Sequence, residues 1–410
     1  MVVGNCGLGL APSDIDSAAV LAGVNGWMTP DGVEPGAVDV GAYLDRIDRD
    51  GVTVNVGMLI PHGPVRVTAM GLASGAPDPA QLTAMRDAVA RGLDSGAFGL
   101  STGLIYEPGC HARTEEIIEL VAEMGGSTRL YTTHMRDEGI DLLPSIEEAL
   151  RIGREAGVGV QISHHKAAGR PSWGLVHESL ALIERAQQQG QTVFADQYPY
   201  TAGSTILEAI VRNEMVSDRD DAPSTPADIV LASCAPHPEW EGRSLADLGE
   251  LFGCTGMEAA DRVLAEAPNT TVITHMMNED DVRTVMAHPS TMIGSDGVPT
   301  IGAKPHPRLS NTFARVLGHY ARDEGVLTMA EAVRKMTGFA ADTFGLDGRG
   351  YVRAGDYADL VVFDPATVED RGTFADPTLM PVGFRHVFVN GTEVVTDGEH
   401  TGARPGVPVH

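Results

Sequence analysis

The feature that most constrains the fold is a repeated alternation of short β-branched runs with amphipathic segments of helical period. The apolar runs that end in polar residues span 2–6, 52–63, 97–104, 129–139, 159–169, 192–205, 269–280 and 291–299. Segments such as 85–96 and 146–157 separate these runs and carry apolar residues at helical spacing. This order of strand, polar tip and helix predicts parallel βα units.

Two α/β architectures produce such a rhythm. In a (β/α)8 TIM barrel the polar strand ends converge on one face, which carries the active site. A doubly wound open sheet has a similar period, but no Gly-x-Gly-x-x-Gly follows a first strand, which disfavours a dinucleotide-binding fold. We therefore predict a TIM-barrel domain over 1–344, with a lid-like insertion at about 206–268, where Asp and Pro clusters break the rhythm.

The C-terminal part changes character. Over 345–410 the apolar residues alternate with period two, and Asn390-Gly391 is a hairpin signal. These features predict a small antiparallel β unit after the barrel.

Composition excludes several classes of partner. The chain has 410 residues and a formal net charge of −27, which disfavours nucleic acids and anionic membranes. No stretch approaches the ~18 continuous apolar residues of a spanning helix, and no secretion signal is visible. Four cysteines in so long a chain do not form a disulfide framework. We expect a cytoplasmic protein of enzyme size that acts on a small molecule.

The predicted strand ends carry metal-binding side chains. They are Cys6, His62, His134, His164 with His165, Asp196, Tyr198, His275 and Asp296. Taken singly, each has a structural explanation: a lone histidine is more often structural, Cys6 alone would be a small core residue, and Asp296 could form an Asx turn. Gathered on one face, thiolate, imidazole and carboxylate groups suit a zinc site with an open position for water.

Several longer strings resemble a known family. They are GNCGLGLAP, GLSTGLIYEPG, YTTHMRDEG, QISHHKAAGRPSWG, YPYTAGST, IGSDGVP and PHPRLSNTFARVLG. In this order they resemble the N-acyl-D-amino-acid deacylases, the D-aminoacylase branch of the amidohydrolase superfamily. The tail strings GYVRAGDYADLVVFDP and FVNGTEVV resemble part of the β-sandwich of that superfamily.

The resemblance implies roles for individual residues. The metal ligands would be Cys6, His134, His164 and Asp296, with His165 as the less favoured alternative to His164. Asp296 would also be the catalytic acid and base. The substrate carboxylate would be held by Arg308 and Tyr198, with Tyr200 as an alternative to Tyr198.

One part of the family pattern has no match. Family members carry a segment before the GNC strand that supplies the first barrel strand, half of the β-sandwich and a His-x-His metal motif. No His-x-His occurs in this sequence. We therefore expect a barrel that lacks its first strand, a partial β-sandwich, and one tight zinc site with the second site absent or weak.

The resemblance implies a zinc-dependent hydrolase that cleaves the linear amide of N-acyl-D-amino acids. A cyclic-amide hydrolase of the hydantoinase or dihydroorotase type is one alternative, although the lysine such enzymes carry after the fourth strand is missing from LSTGL. A truncated fragment without activity is another. Preference for D over L substrates, side-chain specificity and oligomeric state are not encoded in any residue that we can identify.

Overall fold

The computed structural model describes residues 1–29, 36–126, 128–219, 221–298 and 303–410. The strands are β1 (Val2–Val3), β2 (Gly57–Met58), β3 (Ile60–Pro61), β4 (Gly99–Gly103), β5 (Leu130–His134), β6 (Gly159–Ile162), β7 (Val193–Gln197), β8 (Gly203–Ile206), β9 (Ile229–Ser233), β10 (Thr271–Thr274), β11 (Thr291–Ile293), β12 (Leu360–Phe363), β13 (Phe384–Val389), β14 (Thr392–Thr396) and β15 (Glu399–His400).

The α-helices are α1 (Ile15–Val24), α2 (Val40–Asp50), α3 (His62–Met70), α4 (Pro79–Asp94), α5 (Thr114–Val121), α6 (Leu142–Ala156), α7 (Val176–Gln188), α8 (Leu207–Arg212), α9 (Leu245–Phe252), α10 (Gly256–Glu266), α11 (Glu279–Ala287), α12 (Arg308–Arg315), α13 (Met329–Met336) and α14 (Gly338–Phe344). A π-helix, Val316–Asp323, continues α12. No helix in these ranges is both long and apolar enough to cross a bilayer.

Parallel strands build the main sheet. Its order is β11-β7-β6-β5-β4-β3, and every neighbouring pair is parallel. Next to β3, strands β1 and β2 form a parallel pair of their own. The Leu59 amide, between β2 and β3, donates to the Val3 carbonyl at 2.9 Å. The parallel βα pattern predicted from the sequence is therefore confirmed. Because the strands are parallel, the segments after Val3, Gly103, His134 and Ile162 lie along the same edge.

A second sheet lies between β7 and β11 in the chain. Strand β10 is its centre and pairs antiparallel with both β8 and β9, and its core includes Leu231, Trp240 and Val272. The sequence predicted that the apolar run in 269–280 is another strand of the parallel βα pattern. This prediction was wrong, because β10 lies in this run and is antiparallel to both of its neighbours. A central antiparallel strand buried on both faces has the same continuous apolar sequence as a parallel one.

The C-terminal sheet has the order β12-β13-β14-β15 and is antiparallel throughout. Asn390 and Gly391 connect β13 to β14 with positive φ angles of 50° and 81°, as a two-residue hairpin requires. The Asn390 side chain donates to the Asn55 side chain at 2.7 Å. This bond ties the C-terminal sheet to the loop before β2.

The end of β4 leaves no space for a side chain. A Cβ atom on Gly103 would overlap the carbonyl oxygen of Cys6, and one on Gly7 would lie 2.7 Å from the Gly103 amide nitrogen. The turn that contains Cys6 is therefore packed against the β4 backbone.

We expect Gly103→Ala to lower the free energy of unfolding by about 1–3 kcal/mol, because the added methyl must displace this turn. Urea unfolding measures the change. The matched control is Gly23→Ala in α1, where an added Cβ meets nothing within 4 Å; there stability should stay the same or rise by up to about 1 kcal/mol. Equal stability of the two variants would contradict the packing.

Candidate metal centre

Three side chains of metal-ligating types converge at the ends of β1, β5 and β6. Cys6 Sγ lies 3.4 Å from His164 Nε2, and His134 Nδ1 lies 2.9 Å from the same nitrogen. The ligand atoms of all three residues lie within 4.8 Å of one another. In a tetrahedral zinc site such atoms are about 3.3–3.6 Å apart. The 3.4 Å sulfur–nitrogen distance lies in this range, and the 2.9 Å nitrogen–nitrogen distance would have to lengthen by about 0.4 Å. The sulfur and nitrogen donors are of the types that zinc prefers, so with this small adjustment the group suits one zinc ion.

The backbone around these residues is unusual. Cys6, His164 and Asp296 have positive φ angles of 55°, 39° and 47°. Left-handed backbone is costly for residues other than glycine and is concentrated at functional sites. Asp196 stabilises the turn at His164, because its carboxylate accepts the His164 amide proton at 2.7 Å.

A buried ion pair lies behind the imidazoles. Glu138 Oε1 accepts a hydrogen bond from Lys166 Nζ at 2.6 Å and lies 2.9 Å from His164 Nδ1. Burial acts to raise the pKa of Glu138, but Lys166 and the two imidazoles hold it well below its usual value. An ionised Glu138 orients the His164 ring so that Nε2 faces Cys6, an arrangement common behind zinc ligands.

Sequence reasoning missed Glu138. It assigned no role to this residue, whereas the Glu138 side chain is only 9% exposed and lies against His164. A carboxylate four residues after the predicted ligand His134 was the available signal. Lys166 lies inside the same buried network.

Burial also sets the charge of the candidate ligands. It lowers the pKa of His134 to about 3 and raises the pKa of the Cys6 thiol. For His164, burial and Lys166 act to lower the pKa, but Glu138, Asp296 and Cys6 raise it well above its usual value. In the metal-free site these directions favour a neutral thiol at Cys6, an imidazolium at His164 and a neutral imidazole at His134.

Arg308 and Asp296 form an ion pair near the three-residue group, since the Asp296 carboxylate acts to raise the pKa of both His134 and His164. The region that holds the group and this ion pair is called the mouth. Arg308 Nη2 lies 2.8 Å from Asp296 Oδ2, and the guanidinium lies 4.4 Å from the centre of the Tyr198 ring. Arg308 is only 1% exposed, and among the described residues its Nε and Nη1 atoms have no hydrogen-bond partner. A buried cation with two free donors suits a carboxylate ligand.

His306 lies beside Arg308 and links the Arg308 backbone to that of Ala202. Its Nδ1 accepts the Arg308 amide proton at 3.0 Å, and its Nε2 donates to the Ala202 carbonyl at 2.9 Å. Tyr200 packs edge-on against His306 instead of lying on Arg308. The structure therefore places Tyr198, and not Tyr200, against the guanidinium.

The other polar strand ends lie outside the three-residue group. Asp296 is not among the grouped ligand atoms, because its carboxylate is paired with Arg308. The His165 ring faces Ser179 at 2.9 Å, and burial lowers its pKa to about 3. His62 is buried against Glu116 at 3.1 Å, and the ring of His275 packs on Phe374.

This chain is similar to known proteins over nearly its whole length. Residues 181–395 match the amidohydrolase family. A D-aminoacylase of Alcaligenes xylosoxydans xylosoxydans is 42% identical to this chain, over 99% of the chain and 80% of the relative.

Two solved structures match essentially the whole chain. N-acyl-D-glutamate deacylase from Bordetella bronchiseptica, in complex with zinc and a phosphonate mimic of the tetrahedral intermediate, is 40% identical with a TM-score of 0.88, over 100% of this chain and 81% of that one. A D-aminoacylase studied for one-metal activation and second-metal attenuation is 38% identical with a TM-score of 0.88, over 100% and 82% of the two chains.

Zinc uptake at pH 7 should release between about one and two protons per ion, because the Cys6 thiol and His164 must lose theirs while His134 is already neutral. Affinity should weaken as the pH falls, since protons compete for the same atoms. Calorimetry in buffers of different ionisation enthalpy measures the release. Cys6→Ala should release fewer protons, and an unchanged number would remove the thiol from the ligand set.

Proposed function

The chain belongs to the N-acyl-D-amino-acid deacylase family of amidohydrolases, and we propose that it is a zinc-dependent hydrolase of N-acyl-D-amino acids. The products would be a carboxylate and a free D-amino acid. The observation that carries this proposal is the group of Cys6, His134 and His164 at the mouth that also holds Asp296 and Arg308.

We also propose a TIM barrel with an insertion and a C-terminal β unit, and a cytoplasmic location. The parallel sheet of β3 to β7 and β11, together with the parallel pair β1 and β2, supports a TIM barrel over 1–344. The antiparallel sheet of β8, β9 and β10, in which β9 lies inside the segment and the other two strands border it, supports a lid-like insertion at about 206–268, and the C-terminal sheet supports a separate β unit over 345–410. Free cysteines support a cytoplasmic location, and the net charge of −27 supports a small-molecule substrate without nucleic acid or membrane partners.

Cys6 as thiolate and the imidazoles of His134 and His164 would hold the zinc ion. When bound, zinc supplies a Lewis acid that polarises the scissile carbonyl and acidifies a water molecule. Glu138 keeps the His164 ring in place through Nδ1. The convergence of Cys6, His134 and His164 on one point supports one tight site there.

Asp296 would move the proton that hydrolysis requires. Its carboxylate accepts a proton from the attacking water and then donates it to the departing amide nitrogen. The Asp296 side chain is 26% exposed, so it can reach solvent in the mouth, while Arg308 Nη2 holds its Oδ2 atom.

Arg308 would bind the substrate carboxylate through a donor atom that Asp296 leaves free, either Nε or Nη1. A charge-assisted hydrogen bond of this kind contributes about 1.5–3 kcal/mol. Tyr198 lies under the guanidinium, and Lys166 lies 5.7 Å from the centre of the same ring. Both can add to the recognition of a free α-carboxylate.

A cyclic-amide hydrolase with a carbamylated lysine after the fourth strand is less supported. The end of β4 is Gly103, where a side chain would overlap the Cys6 carbonyl. The relatives named above act on linear N-acyl-D-amino acids, which supports the same bond class here.

The direct test is to load the protein with zinc and to compare an N-acetyl-D-amino acid, its L enantiomer and a hydantoin as substrates. We expect amine release from the D substrate alone. Turnover of the hydantoin with none of the D substrate would support the cyclic-amide alternative. A purified protein that binds zinc but cleaves none of the three would contradict hydrolase function.

Asp296→Asn should lower kcat by roughly 10²–10⁴-fold, because the amide cannot accept the proton from water. Zinc content should stay at the wild-type value. Steady-state kinetics and metal analysis check both statements, with Asp45→Asn on the exposed face of α2 as control. Near-normal turnover of the Asp296 variant would exclude the proposed proton transfer.

Arg308→Lys should raise KM for an N-acyl-D-amino acid by roughly 10- to 100-fold, because the lysine retains the charge near Asp296 but loses the additional guanidinium donor that would bind the substrate carboxylate. For the corresponding carboxamide, which lacks the charged group, KM should rise much less. Kinetics on the acid and its carboxamide separate the two effects. Equal losses on both substrates would remove Arg308 from carboxylate recognition.

A further inference from the structure

Ser101 contacts the turn that carries Cys6 from inside the sheet. It lies in the middle of β4 and is 0% exposed. Its hydroxyl donates a hydrogen bond to the Gly4 carbonyl and accepts the Gly7 amide proton at 3.1 Å. One side chain therefore bonds the backbone on both sides of Cys6.

This turn needs outside support. Cys6 has φ 55° and ψ 25°, in the left-handed region that residues with a Cβ atom avoid. Gly4 and Gly7 also have positive φ, at 81° and 66°, and the Leu8 amide closes the turn on the Asn5 carbonyl at 3.1 Å. The bonds to Ser101 span the whole turn and hold it against β4.

We propose that Ser101 is a positioning residue that presents the Cys6 sulfur to the metal. The inference rests on the proposed zinc-dependent function. A ligand held in place before the ion arrives binds it more tightly than one that must be ordered, and supporting residues of this kind typically change metal affinity by about 10- to 100-fold. Ser101 contacts neither His134 nor His164 through any described hydrogen bond, so its effect passes through the Cys6 turn.

Ser101→Ala tests the proposal, with Thr102→Val as its matched control. Thr102 is the next residue of β4, is also 0% exposed, and directs its hydroxyl to Tyr131 and Thr133 at 2.9 Å instead of to the turn. The measurements are Zn²⁺ affinity by competition with a chelator, and the thiolate-to-metal charge-transfer band of the Co²⁺-loaded protein. Urea unfolding of the metal-free proteins records the purely structural cost of each change.

We expect Ser101→Ala to weaken Zn²⁺ binding about 10- to 100-fold and to weaken the Co²⁺–thiolate band. Thr102→Val should change the affinity by less than about threefold, whatever it costs in stability. If the alanine variant does not fold, Ser101→Cys takes its place, because it keeps nearly the same volume but forms weaker hydrogen bonds. Its Zn²⁺ affinity should then be lower than that of the wild type.

Wild-type affinity and an unchanged band in both Ser101 variants would overturn the positioning role while leaving the hydrolase intact. Equal losses in the Ser101 and Thr102 variants would also overturn it, because any buried hydroxyl of β4 would then have the same effect. A wild-type protein that binds no ion would overturn the proposed function, and the positioning role with it.

Discussion

The candidate site depends on the contact between the turn at Cys6 and the end of β4. Parallel pairing brings His134 and His164 together, since they follow adjacent strands. Cys6 reaches them only because glycine at positions 7 and 103 lets the turn lie directly on the β4 backbone. The sulfur then faces the His164 ring at 3.4 Å. A bulkier strand end would remove the third donor from the group.

Charge balance explains why so many ionisable groups are buried together. Glu138 is paired with Lys166 and Asp296 with Arg308, so the two carboxylates and two cations compensate one another. A Cys6 thiolate adds one negative charge, a divalent ion adds two positive charges, and a substrate carboxylate adds one negative charge. These three charges sum to zero, so each of them has a counter-charge close by, which lowers the cost of burying it.

Sequence patterns predicted the parts of the site that lie at strand ends. Cys6, His134 and His164 were identifiable because each follows an apolar run, and the parallel order of those runs implies a shared edge. Glu138 and Ser101 were missed. Both make contacts that no local pattern predicts. The Glu138 carboxylate lies 2.9 Å from His164 Nδ1, and the Ser101 hydroxyl bonds the Gly7 amide, 94 residues away in the chain. Run 269–280 was misassigned because a buried strand has the same composition in either kind of sheet.

The sequence by itself determined the βα rhythm, the hairpin at Asn390-Gly391, the family resemblance and the set of possible ligands, because these depend on local periodicity and residue type. Only the tertiary structure decided which of them meet. It separated His164 from His165 and Tyr198 from Tyr200, placed β10 in an antiparallel sheet, and paired Asp296 with Arg308. The physical reason is that the fold of the whole chain sets the direction of each side chain and its long-range packing. Nearby residues of the same type, such as the two histidines and the two tyrosines, have the same chemistry and are distinguished only by that direction and packing.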